Sequence, residues 1–301
     1  MLKGTRWLQQ TLEKMAGKLS VSGSTKLRNK MKPTKIQIVD GIYEILTSTI
    51  ANNRFFEARA RGFRSEIEFE NYVKSKKLKI LKGGQFLFRE RDAAGFHRLV
   101  YVTITFSDKA NYISLYKKIS ELPIITDLFF IQLDDLDNWT TCQIPTSRRK
   151  GIVQTTQIPC PSFEIFKFDS SKFISSDITE IQNLFPVKTS STICSRKTNF
   201  YNYLVNYPEE DIAEIFANRY FLDVLLRNHK KGMIDFDFII ENKQGFIAVE
   251  TKEKDAGGTG NSKYFGWDSR RLSWYLYLKQ KGSDWLYISK IFYKISLCKR
   301  I

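Results

Sequence analysis

Apolar residues recur at helical spacing from Ile36 to Ala51, and the pattern predicts a helix there. A second helix is predicted over Ser65 to Lys76. The pattern then changes. Gln85-Phe-Leu-Phe88 and Leu99-Val-Tyr-Val-Thr-Ile-Thr-Phe106 are aromatic and β-branched runs of strand character. A helix across Ala110 to Glu121 and a strand at Asp127 to Leu133 complete an α/β unit. Residues 138 to 200 are rich in Thr, Ser and Pro, with short β-prone pieces such as Phe163-Glu-Ile-Phe-Lys-Phe168. They read as an insertion or connector between two halves. Pro208 opens a helix running to about Asn228. Strands at Met233–Ile240 and Phe246–Lys252 follow, then a Gly-rich loop from Ala256 to Gly260, a helix near Asp268–Gln280 and a last strand at Trp285–Tyr293.

The two strands after residue 232 carry acids inside apolar runs. On the first, Asp235, Asp237 and Ile239 share one face; on the second, Phe246, Ala248, Glu250 and Lys252 share one face. A four-residue loop, Asn242-Lys-Gln-Gly245, pairs Glu241 with Phe246. An unbroken ladder then sets Asp237 opposite Glu250 and Asp235 opposite Lys252, with Cβ atoms about 4.5–5.5 Å apart. A shift of one residue sends these charges to opposite faces. Opposed carboxylates repel each other, and a hard divalent cation removes that repulsion. Mg²⁺ takes one or two carboxylates and completes its shell with water and phosphate oxygens. A lysine beside the ion suits a phosphate or a water nucleophile, so the set fits metal-assisted phosphodiester hydrolysis.

Asp237, a hairpin turn and then Glu250-Thr251-Lys252 resemble the D…ExK signature of the PD-(D/E)XK nucleases, the restriction-endonuclease-like superfamily. The resemblance covers about residues 205 to 295. It implies an α/β fold there: a mixed central sheet flanked by helices in residues 201–301. The order of predicted elements reads residues 1–200 as a preceding α/β or α+β region, which would recognise DNA or be a degenerate copy of the second half. The resemblance also implies roles. Asp237 and Glu250 would bind Mg²⁺, with Mn²⁺ as a substitute, and the Thr251 carbonyl would add a ligand. Lys252 would assist the attacking water. Phe236 stands where proline often precedes the aspartate, so Asp235 competes with Asp237 for the metal. Members often carry a glutamate on the preceding helix; Glu214 is the candidate here and Glu210 its rival. Arg270, Arg271 and Lys263, beyond the motif, are the candidate DNA-backbone contacts.

Composition sharpens the choice of partner. There are 48 Lys and Arg against 32 Asp and Glu, a net charge of +16. Such an excess favours a polyanion. A membrane surface would also suit the charge, but no apolar run approaches the roughly 20 residues of a spanning helix. The N-terminal stretch to Leu19 is basic and lacks the apolar core of a signal peptide, and residues 17–35 read as a loop or flexible arm. Cys142, Cys160, Cys194 and Cys298 form no CxxC pair and read as reduced thiols of a cytoplasmic protein. With only His97 and His229, histidine-based chemistry is disfavoured, and no GxxxxGK[ST] loop signals an ATPase. The expectation is a DNA endonuclease resembling type II restriction enzymes, acting as a homodimer. The alternatives are a repair, recombination or transposon-associated nuclease on the same core, and a nucleic-acid-binding protein without catalysis.

Overall fold

The structure is a computed structural model that describes residues 32–49, 54–91, 97–149, 152–185, 204–227, 229, 233–243, 245–253, 276, 280 and 286–293. In chain order the elements are α1 (Lys35–Thr49), α2 (Arg54–Ser75), β1 (Ile80–Lys82), β2 (Gln85–Arg91), β3 (His97–Thr105), α3 (Ile113–Ser120) and β4 (Ile125–Leu133). There follow β5 (Thr140–Arg149), β6 (Ile152–Cys160), β7 (Phe163–Asp169), β8 (Lys172–Ser176), α4 (Ile178–Asn183) and α5 (Glu209–Tyr220). The chain closes with β9 (Met233–Asp235), β10 (Phe238–Asn242), β11 (Gly245–Glu253) and β12 (Leu286–Tyr293). This is a mixed α/β fold.

Strand β3 explains the larger sheet. Leu99 and Tyr101 bury on one side, and Val100, Val102 and Ile104 on the other. A strand apolar on both faces must be covered twice. The first side packs on Leu115 and Tyr116 of α3; the second packs on Ile38 and Ile42 of α1 and Phe216 of α5. The sheet has six strands in the order β8-β7-β4-β3-β2-β9, with β3 and β4 parallel. Helix α1 begins on a reciprocal cap: Gln37 N–H donates to Thr34 Oγ1 (3.3 Å), and Thr34 N–H donates to Gln37 Oε1 (2.8 Å).

A second sheet, in the order β1-β10-β11-β12, carries the motif. Strands β10 and β11 are antiparallel neighbours, and β12 runs parallel to β11. Phe69 and Val73 of α2 pack on Phe238 and Val249 of this sheet. The chain crosses between the two sheets twice, at a double corner. The chain passes from β1 to β2 through Gly83-Gly84 and from β9 to β10 through Phe236-Asp237. Gly83 N–H donates to the Asp237 carbonyl (2.9 Å), and Phe236 N–H donates to the Gly84 carbonyl (3.1 Å). A Cβ on Gly83 would stand 1.9 Å from the Phe236 carbonyl oxygen, so only glycine allows the corners to nest.

Several expectations change in the structure. Helix α2 starts at Arg54 rather than Ser65. Residues 138–185 are not a connector: β5 and β6 form a two-stranded sheet, and β7 and β8 extend the large one. The helix from Pro208 ends at Tyr220 and widens into a π turn over Phe221–Leu225. The division at residue 200 is crossed by two ladders, β1 with β10 and β2 with β9. The predicted strand 233–240 breaks at the corner into β9 and β10. The N-terminal stretch, the Gly-rich loop and, apart from residues 276 and 280, the helix at 268–280 lie outside the described residues. Among the described residues no helix is long and apolar enough to cross a membrane.

Candidate active site

The hairpin keeps the predicted register, Glu241 with Phe246, although Asn242 also pairs with Gly245 and shortens the loop to two residues. The ladder ends at Phe238 with Val249. Yet Asp237 N–H donates to the Val249 carbonyl (3.0 Å). Two residues of one strand thus stand against one of the other, which is the geometry of a β-bulge. The bulge shifts Asp237 by one place in the alternation. Its carboxylate Oδ2 accepts from the backbone N–H of Thr251 (2.5 Å) and from Thr251 Oγ1 (2.8 Å). Asp237 is therefore anchored on the face of Val249 and Thr251, the face packed on α2. Glu250 is buried on β11 and by alternation lies with Phe246 and Ala248 on the other face. The expected ladder pair of Asp237 with Glu250 is absent, since the ladder stops one residue short of it. Asp235 takes Gln85 as its ladder partner, in β9.

The double corner, α2 and α5 enclose a cleft of about 80 Å³, room for several waters or a small hydrated ion. Its acidic lining is Glu66, Glu214, Asp235 and Asp237, and its basic lining is Arg59, Lys82 and Arg219. Arg59, Phe63, Glu66 and Glu70 follow one face of α2. Burial pushes the Glu66 carboxyl up to about 8, and the charges of Asp237 and Asp235 push in the same direction against the pull of Lys82 and Arg219. Glu66 and Asp237 thus form a repelling carboxylate pair, contributed by a helix and a strand corner.

Lys82 closes the floor. Its ammonium stands 2.5 Å from Glu70 and 2.8 Å from Glu214, and lies 5.1 Å from the Phe238 ring centre. Burial disfavours its charge, but Glu214 and Glu70 outweigh that and hold its pKa above the ordinary lysine range. Glu214 Oε1 also accepts from Phe106 N–H (3.3 Å). Glu214 lines the cleft as the sequence suggested, but both its oxygens are engaged in holding α5, β1 and β3 together. The helix carboxylate that feels Asp237 is Glu66, on α2. Glu210 is exposed on the first turn of α5 and does not line the cleft.

Lys252 continues β11 directly after Thr251, in register with Phe292 of β12. Arg270, Arg271 and Lys263 lie outside the described residues. Among the described residues no group of three carboxylate, thiol or imidazole side chains is already assembled for a metal. What the cleft offers a hard cation is a pair of oxygen donors, Glu66 and Asp237, with Asp235 nearby. Gln85 also lines the cleft, and its buried Oε1 has no hydrogen-bond partner among the described residues. That donor set suits Mg²⁺ with part of its water shell retained.

Sequence reasoning missed Glu66, Lys82, Gln85 and Arg219. One signal was available: Arg59, Phe63, Glu66 and Glu70 recur at helical spacing, placing charges on an otherwise apolar face. Starting the helix at Ser65 cut that face in half. No family model, curated protein or solved structure matches the chain.

Proposed function

We propose that the chain is a divalent-metal-dependent nuclease acting on DNA. The observation that carries this reading is the convergence of Glu66, Asp235 and Asp237 on one cleft of a chain with net charge +16. A fold gains nothing in stability from setting the charges of Asp237 and Asp235 against the Glu66 carboxyl. A cation-assisted site needs them. The adjacent β10 and β11, flanked by α2, also agree with the resemblance read from Asp237 and Glu250-Thr251-Lys252.

Glu66 and Asp237 would hold the ion, with Gln85 or Asp235 reaching its water shell. When bound, Mg²⁺ polarises a phosphoryl oxygen and lowers the pKa of a coordinated water. Thr251 fixes the Asp237 carboxylate beforehand through two hydrogen bonds. Such prior orientation limits what must reorganise when substrate arrives. Lys82 keeps its proton under the load of Glu70 and Glu214, so its part is to hold the floor rather than to transfer a proton. Lys252, next to Thr251, is the lysine proposed to orient the attacking water. In this reading the finer assignment is a restriction-like endonuclease. A homodimer would make the symmetrical double-strand cut.

The test is supercoiled plasmid incubated with the protein in Mg²⁺ and in EDTA. Nicked or linear product is expected in Mg²⁺ alone. Asp237→Asn should abolish cleavage, and Glu66→Gln should slow it about a hundredfold or more, the scale of losing one preorganised electrostatic contact. An intact plasmid with folded wild-type protein would remove the nuclease reading. A loss in Glu250→Gln as deep as in Asp237→Asn, with Glu66→Gln fully active, would put Glu250 and not Glu66 at the ion.

A further inference from the structure

We propose that Arg219 is the anion-binding group of the cleft, its guanidinium taking a non-bridging phosphate oxygen of the nucleic-acid backbone. This inference rests on the nuclease reading and adds to it the part that receives the substrate.

Arg219 is only 7% exposed and lines the same cleft as Glu66 and Asp237. A guanidinium carries five N–H donors, none of which can be discarded by deprotonation. Here Nη1 reaches Asp223 at a long 3.4 Å, and Nε is buried with no hydrogen-bond partner among the described residues. A buried charged donor left unsatisfied is costly, and structures seldom retain one without a use. Gln85, another residue of the cleft lining, has a buried Oε1 that likewise lacks a partner among the described residues. The cleft lining therefore holds a donor and an acceptor for which the described residues supply no partner.

The acceptor that suits Arg219 is a phosphate. Arginine's planar fork matches two oxygens of one tetrahedral anion, and its weak hydration eases the burial. An anion entering a cleft lined by Glu66, Asp235 and Asp237 also needs a cation on the approach that does not depend on the metal. Lys82 is already committed to two glutamates. Arg219 is positioned for this by local structure. The helix widens into a π turn over Phe221–Leu225 directly after it, and Asp223 of that turn holds one end of the guanidinium. Single-turn π segments occur often at functional sites.

The experiment measures binding of a short DNA duplex in Ca²⁺ as a function of salt, beside thermal melts and single-turnover cleavage in Mg²⁺. Arg219→Gln should bind more weakly, with its log-affinity slope against log salt smaller by about 0.9, the value of one lost phosphate contact. Arg219→Lys keeps the charge beside Asp223 and guards against a folding defect. It should melt like wild type, keep the slope and cleave at least roughly tenfold more slowly. Wild-type slope and affinity in Arg219→Gln, or wild-type cleavage in Arg219→Lys, would overturn the inference while leaving the nuclease intact. Absence of DNA binding and cleavage in the wild type would instead bring down the reading beneath it.

Discussion

Glu66 on α2 and Asp237 at the strand corner reach one cleft from distant parts of the chain. Asp237 stands out because an acid inside a β run, a turn away from Glu-X-Lys, is a local pattern. Glu66 becomes its partner only through the packing of α2 on the second sheet; its spacing with Arg59, Phe63 and Glu70 marks a charged helix face but not what that face meets. The ladder pairing expected between Asp237 and Glu250 is absent for a related reason. It assumed an unbroken ladder, and the bulge at Asp237 moved that carboxylate to the face of Thr251. The raised pKa of Glu66 has a measurable consequence. The folded protein holds this proton up to about pH 8, against the ordinary value of 4.5. Between those values the unfolded chain binds fewer protons, so this group's contribution to stability is complete below about 4.5 and is lost as pH rises through about 8. In EDTA, the stability of Glu66→Gln relative to wild type should therefore grow from pH 5 to pH 8.5. Urea melts of both proteins across that range check it, and a constant difference would mean that Glu66 is not held protonated.

At the scale of elements, most of the early chain was legible. Periodicity located α1, β2, β3, α3 and β4, and it located the β10–β11 hairpin. Sheet membership was not, because the order of strands in a sheet is set by long-range packing. Residues 138–185 looked like a connector for their Thr, Ser and Pro content. That content fits the two-stranded β5–β6 sheet and the β7–β8 hairpin at the sheet edge, where fewer positions are covered. The double corner was also hidden. Gly83-Gly84 reads locally as a turn, whereas its function is to admit the Phe236 carbonyl. Gly83→Ala sets a methyl where that oxygen lies, and backbone on both sides leaves little to yield. We expect a loss of about 3 kcal/mol, the upper end for overpacking a well-filled site, with cleavage falling alongside because the same corner carries Asp237. A thermal melt within a degree or two of wild type would contradict the nested-corner account.

For the whole molecule, the α/β class was readable and the division at residue 200 was not. Charge and motif directed attention to the last hundred residues, but the cleft draws α2 and β1 from the first part and α5, β9 and β10 from the second. The composition carried a different message, that a net charge of +16 favours a polyanionic partner, and the cleft adds where the chemistry on that partner would occur. The claim on which the rest depends is that Glu66 and Asp237 together hold a divalent ion. Calorimetric titration of Mn²⁺ into the metal-free protein tests it without requiring a substrate. The account predicts saturable binding by the wild type, competed by Mg²⁺, and no such binding by Asp237→Asn or by Glu66→Gln, each shown by its melt to be folded. Binding of Mn²⁺ by both variants with wild-type affinity would contradict it.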